Sequence, residues 1–165
     1  MNPTVDLGDV ERFTVGTVGE VGRRLFLLQC DAGMTTLTLK VEKQQVAVLA
    51  EYLGRLVGIL DRPGHLPEDL DLREPTEPHW VVGTVGINYD QALDRIVLLA
   101  EELVQDGEDG DIARFSINRE QAAAFAIRAT SLVESGRPPC PLCALPLDPN
   151  GHDCPRTNGH RPPNT

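Results

Sequence analysis

The sequence predicts an α+β domain in which duplicated β-β-β-α units share one core in a pseudo-twofold, mostly antiparallel sheet, followed by a C-terminal zinc knuckle. Three observations predict it. The strand-like Trp80-Val-Val-Gly-Thr-Val-Gly86 repeats Phe13-Thr-Val-Gly-Thr-Val-Gly19. An apolar stripe of the same helical phase follows the third strand of each unit. Near the end, Cys140, Cys143, His152 and Cys154 stand at metal-ligand spacing.

The repeats span 12–60 and 80–135 and are joined by a connector over 61–79; together they form a domain over 1–136, and 137–165 is the knuckle tail. In the first repeat, Phe13 to Gly19 and Arg24-Leu-Phe-Leu-Leu-Gln29 flank a turn and read as a hairpin. After the turn Asp31-Ala-Gly33, the segment Thr36 to Val41 alternates and puts Leu37, Leu39 and Val41 on one face. Val46, Leu49, Ala50, Leu53, Leu56, Val57 and Leu60 then recur at three- and four-residue steps along a helix from about Lys43.

The connector carries Pro63, Pro67, Pro75 and Pro78 among acidic residues and is expected to be a surface segment without a core of its own. His65 and His79 lie in it and read as solvated side chains, since neither has a partner at ligand spacing. In the second repeat, Arg95-Ile-Val-Leu-Leu99 matches Arg24-Leu-Phe-Leu-Leu28, with the length difference expected in a longer hairpin loop around Asn88-Tyr-Asp90. Ile112 to Ile117 matches the third strand, after an acidic loop Asp106 to Asp111 whose glycine is out of step for calcium. Ala122, Phe125, Ala126, Ala129, Leu132 and Val133 repeat the helical stripe. Asn118 with Gln121, and Glu42 with Gln45, occupy matching capping positions.

The Gly-Thr-Val-Gly pair lacks the Lys-Ser/Thr of a phosphate loop and reads as bulges or tight strand bends. A concave seam between the repeats, lined by these glycines, is the ligand-site candidate outside the knuckle. Arg24, Arg95, Glu42 and Asn118 are placed near its mouth by repeat symmetry alone.

Composition narrows the function. With 41% hydrophobic but 4% aromatic residues, the core is expected from Val, Leu, Ile and Ala. A formal charge of −10 repels a phosphate backbone and argues against nucleic acid as partner. No apolar run approaches a membrane span and the start of the chain has no signal-peptide pattern, so a cytoplasmic protein with no membrane partner is expected. Of four cysteines, three lie from Cys140 onward, as metal ligands in a reducing compartment would. Cys30 reads as a small buried hydrophobe.

The ending carries the sharpest chemistry. Cysteines separated by two residues can place both thiolates on one ion, and His152 with Cys154 completes a Cys3His set for structural Zn2+. His160 is the competing fourth ligand; the turn Asp148-Pro-Asn-Gly151 favours His152. Such a closed site leaves no position for an activated water and points to shape or recognition, not hydrolysis.

The Arg-Phe-Thr-Val-Gly-Thr-Val-Gly start, the Val-Glu-Lys-Gln-Gln-Val helix opening and the Pro-Cys-Pro-Leu-Cys and Gly-His-Asp-Cys-Pro-Arg-Thr-Asn-Gly ending resemble a domain-of-unknown-function family (3090) of high-GC Gram-positive bacteria. The resemblance spans nearly the whole chain and implies metal-ligand roles for Cys140, Cys143, His152 and Cys154. It also implies association with a lipid-kinase-like phosphotransferase and a histidine-phosphatase-like protein. The expected function is therefore a non-catalytic, zinc-stabilised binding or adaptor protein. The alternative is an enzyme or small-ligand binder using the seam on a phosphorylated or sugar-like substrate.

Overall fold

The computed structural model describes residues 3–20, 22–60 and 64–135. In chain order its elements are β1 (Val5–Asp9), β2 (Arg12–Val18), β3 (Leu25–Ala32), β4 (Thr35–Val41), α1 (Lys43–Ile59), β5 (Trp80–Asp90), β6 (Arg95–Glu102), β7 (Ile112–Ile117) and α2 (Arg119–Glu134). The α+β class holds: two helices accompany one mixed, mostly antiparallel sheet of seven strands in the order β1-β7-β6-β5-β4-β3-β2.

The two ends of that order are consecutive in the chain. Val10 donates its N–H to the Ser116 carbonyl at 3.0 Å, and the next residue, Glu11, donates to the Asp31 carbonyl at 2.8 Å. Neighbouring peptides thus reach the two ends of the strand order, and the chain itself joins them into a ring. Strand β1, which the sequence reading left out, makes this closure by pairing parallel with β7. Its register shifts between Asp6 and Gly8, and Gly8 sits at φ 64°, so the strand bends where a side chain would be strained.

Strand β5 does the same job on the far side of the ring. Trp80 and Val81 pair parallel with Leu39 and Lys40 of β4; beyond a register shift between Val82 and Thr84, the strand runs antiparallel to β6. The bulge expected of this glycine motif is present at Gly83, where a Cβ would stand 3.1 Å from Leu103 Cα. The expected longer loop is not there, however. Asn88, Tyr89 and Asp90 extend β5 to 11 residues against 7 in β2, and the turn follows after them. Cross-strand pairing continues through Asp90↔Arg95, so the insertion lengthens a ladder instead of a loop.

Both helices start as predicted. Gln45 accepts from the Glu42 N–H at 2.7 Å and Gln121 from the Asn118 N–H at 2.8 Å, each within a capping box that satisfies otherwise orphaned donors. The α1 stripe is buried at Val46, Leu49, Ala50, Leu53 and Val57, and α2 buries Ala122, Phe125 and Ala129 in the same core cluster. Aliphatic residues dominate that cluster, yet aromatic rings hold its centre. Phe13 stacks on Phe125 at 4.4 Å and meets Phe115 tilted at 5.3 Å, joining β2, β7 and α2 where the ring closes.

Residues 64–79 of the connector include no buried residue, as expected of a surface segment, but their attachment was not expected. The segment is a docked strap over the outer face of β2, β3 and β4. Thr14, Gln29 and Thr38 lie directly across from one another on that face and are all buried. Their polar atoms are satisfied by strap backbone: Thr14 Oγ1 donates to the Leu70 carbonyl at 2.6 Å, Gln29 Nε2 to Arg73 at 2.7 Å and Thr38 Oγ1 to Pro75 at 3.0 Å. In return, Arg73 donates its N–H to Gln29 Oε1 at 2.8 Å. Leu72 occupies the space that a side chain at Gly16 would need. An outward polar row thus became an attachment site, because buried polar groups must find partners.

Candidate functional site

A concavity opens at the seam where β4 and β5 part. It is a groove of about 640 Å³ between the first half of α1 and the bulged strand β5. The capping box of α1 and the bulge of β5 meet there: Gln45 Nε2 donates to the carbonyls of Val82 and Gly83 at 3.2 and 3.1 Å. One wall is Val48, Leu49 and Tyr52 from α1; the other is Val85 and Ile87 from β5. Val48 is 58% and Tyr52 46% exposed, which for apolar groups one turn apart makes an uncovered ridge. Thr84 and Glu42 mark the rim, and Thr84 Oγ1 donates to Glu101 Oε2 at 2.7 Å.

The groove also contains backbone capacity. Beyond Val81, β5 has β6 as its neighbour on one side and no strand partner on the other among the described residues. An edge of this kind can pair with an extended chain. Apolar walls beside an open strand edge suit side-chain burial and main-chain pairing.

Of the four residues placed at the seam by symmetry, Glu42 lines it. Arg24 stands with Glu42, Lys40 and Lys43 around a separate cavity of about 320 Å³. Arg95 and Asn118 belong to the second half: Arg95 Nε lies 3.6 Å from Asp9 Oδ1, and Asn118 caps α2 through the Gln121 N–H at 2.7 Å. The groove residues that sequence reasoning missed are Val48, Tyr52, Val85 and Ile87. Their signal was present, since Val48 and Tyr52 are apolar residues four apart and off the buried α1 stripe.

A third cavity, of about 360 Å³, lies under the strap beside Arg12, Asp31, Asp69 and Arg73. Arg12 is 7% exposed; its Nη1 donates to Asp31 at 3.1 Å and to Gln29 at 3.0 Å, and its Nε to the Asp69 carbonyl at 3.1 Å. Asp31 also accepts from Arg73 Nη1 at 3.0 Å, so one buried carboxylate serves two guanidinium groups. The Arg73 hydrogen bond and charge hold the Asp69 carboxyl below its ordinary range. This cluster fastens the strap.

Cys30 is buried, as expected, and its thiol is pushed up to about 12 by burial, with the Asp31 charge adding to it and Arg12 opposing. His79 is not simply solvated: its Nδ1 accepts from the Thr38 N–H at 3.2 Å and its own N–H donates to the Thr38 carbonyl at 2.8 Å. His65 is exposed, 3.8 Å from Glu68. Among the described residues no three His, Cys, Asp or Glu side chains come together as a metal site. Cys140, Cys143, His152, Cys154 and His160 lie outside the described residues. No described helix is long and apolar enough to cross a membrane. The model of one protein family, described as a protein of unknown function (DUF3090), matches residues 6–154. No curated protein matches the chain.

Proposed function

We propose that this chain, which belongs to the DUF3090 family of proteins of unknown function, is a non-catalytic binding or adaptor protein that takes an extended protein segment into the seam groove. The observation that carries the reading is the groove's make-up: an uncovered Val48–Tyr52 ridge stands beside Val85 and Ile87 of β5, whose edge away from β6 has no strand partner beyond Val81 among the described residues. Such a site gives affinity through backbone pairing and specificity through alternate side chains. Glu42 on the lining, and Glu101 bound to the lining residue Thr84, favour a segment that alternates apolar with basic residues.

In this reading the two halves arose by duplication, and the ring relates them by a pseudo-twofold axis along its centre: β4 meets the start of β5 as β7 meets β1. Zn2+ held by Cys140, Cys143, Cys154 and either His152 or His160 folds a C-terminal knuckle whose sequence is too short to build a core of its own. The protein works in the cytoplasm, with a phosphotransferase-like and a histidine-phosphatase-like protein as the partners that the family resemblance implies. Placing a photo-crosslinking amino acid at position 52 in the native cell tests it. A discrete adduct that disappears with Ile87→Asp is expected; an adduct pattern indifferent to Ile87→Asp would sink the proposal.

A further inference from the structure

We infer that the corner where Arg24, Lys40 and Lys43 converge binds the phosphate of a small soluble phosphorylated molecule. These three side chains line the cavity of about 320 Å³ at the open end of the β3–β4 hairpin, which shares Glu42 with the seam groove and is otherwise lined by different residues. Arg23 lies in the chain between the lining residues Gly22 and Arg24. In a chain of formal charge −10, four cations in one corner would ordinarily find carboxylates, yet none of the four forms an ion pair among the described residues. Arg24 Nη1 donates to Ser135 Oγ at 3.2 Å, and Glu42, the one carboxylate on the lining, belongs to the capping box of α1.

The matching corner of the second half shows what such a cluster needs. Arg95 and Arg119 stand at the places of Arg24 and Lys43, and Asp94 at the place of Arg23. Arg119 donates from Nε to Asp94 Oδ1 at 3.0 Å and its Nη2 lies 3.0 Å from Oδ2, while Tyr89 OH donates to Oδ1 at 2.6 Å. Arg95 is 3.6 Å from Asp9. There the chain supplies the anions itself, and the Tyr89 and Arg119 hydrogen bonds hold the Asp94 carboxyl below its ordinary range. In the first half the residue at that place is a cation and a cavity is left beside it.

Phosphate chemistry fits because several point-charge donors around one small volume suit a multiply charged tetrahedral anion. Leu25, Phe26 and Val41 on the same lining offer an apolar wall to an organic group, and the cavity suits a small molecule. A polynucleotide is disfavoured by the net charge of −10.

The test titrates inorganic phosphate and pyrophosphate into the isotopically labelled full chain and follows backbone amides by NMR. Saturable shifts confined to residues 22–25 and 40–43, with pyrophosphate the tighter ligand, are expected. Lys40→Ala and Lys43→Ala each weaken binding by about tenfold. Arg23→Asp installs the carboxylate that the second half carries as Asp94 and should abolish binding while leaving the three lining cations in place; Arg95→Ala should bind as wild type does. Unchanged spectra elsewhere verify that each variant is folded. Absence of saturable shifts, pyrophosphate binding no tighter than phosphate, shifts spread over other surfaces, full binding by Lys40→Ala and Lys43→Ala, retained binding by Arg23→Asp, or weakened binding by Arg95→Ala would each overturn the assignment.

Discussion

Replacing Gln29 with Leu should unfasten the strap. Gln29 is 1% exposed and makes four hydrogen bonds: its Oε1 accepts from Arg12 Nη1 at 3.0 Å and the Arg73 N–H at 2.8 Å, and its Nε2 donates to Thr38 at 3.1 Å and the Arg73 carbonyl at 2.7 Å. Leucine fills nearly the same volume, so the cost comes from partners left without a bond and not from a cavity. Arg73 alone would lose partners for both its N–H and its carbonyl. At about 1 kcal/mol for each neutral bond and somewhat more for the one to Arg12, less what entering water returns, the loss is about 2–4 kcal/mol. For a domain of this size that lowers Tm by roughly 5–15 °C. Calorimetry gives the total, and hydrogen exchange at the Arg73 amide shows where it falls: exchange should become much faster there while the Leu53 amide in α1 slows or quickens only with global stability. A Tm within about 2 °C of wild type, together with unchanged Arg73 exchange, would refute the argument that these bonds hold the strap.

Further outcomes follow from the same structure. Gly16→Val should displace Leu72 and raise proteolytic cleavage within residues 64–79, whereas adding Leu72→Ala should restore protection in part; equal cleavage of both variants would show that this close approach does not seat the strap. The Cys30 thiol, raised from 9.0 to about 12 in the fold, favours the folded state fully below pH 9 and loses that contribution as pH climbs toward 12, because the unfolded thiol ionises first. Chemical denaturation of wild type against Cys30→Ala should therefore show a difference that shrinks above pH 9, and a thiol reagent should label Cys30 of the native protein only at the rate of unfolding. Metal content should be close to one zinc per wild-type chain and fall in one of His152→Ala and His160→Ala; full-affinity zinc in both would contradict a closed Cys3His site.

Periodicity made the two halves legible. The stripes from Val46 and Ala122 are those that face the core, and the Glu42–Gln45 and Asn118–Gln121 pairs mark the true helix starts, because capping and amphipathicity are local and repeat with the helix. Strand β1 was not legible: Val5-Asp-Leu-Gly-Asp9 is short, acidic and glycine-containing, and becomes a strand only because β7 offers it an edge. The attachment of the strap was not legible for a related reason. Its prolines and carboxylates describe a surface segment correctly, but the signal for docking lay on its partners, in Thr14, Gln29 and Thr38 on outward positions of otherwise apolar strands. For the site, repeat symmetry placed Arg24, Arg95, Glu42 and Asn118 at one mouth, whereas the structure sets Arg24 and Glu42 around one cavity and gives Arg95 and Asn118 partners of their own in the second half. It could not tell that the seam itself would be apolar, since Val85 and Ile87 face it only after the bulge at Gly83 resets the strand's alternation.

The central claim is that the seam groove holds a partner's extended segment against β5. With a photo-crosslinker at position 52 of the full chain in its native cell, the account predicts one dominant adduct whose cross-linked peptide is extended and carries apolar side chains alternating with basic ones, lost in Ile87→Asp and kept in Ile127→Asp on the exposed side of α2. Adducts of the same proteins in wild type and Ile87→Asp, or none in either, would contradict it.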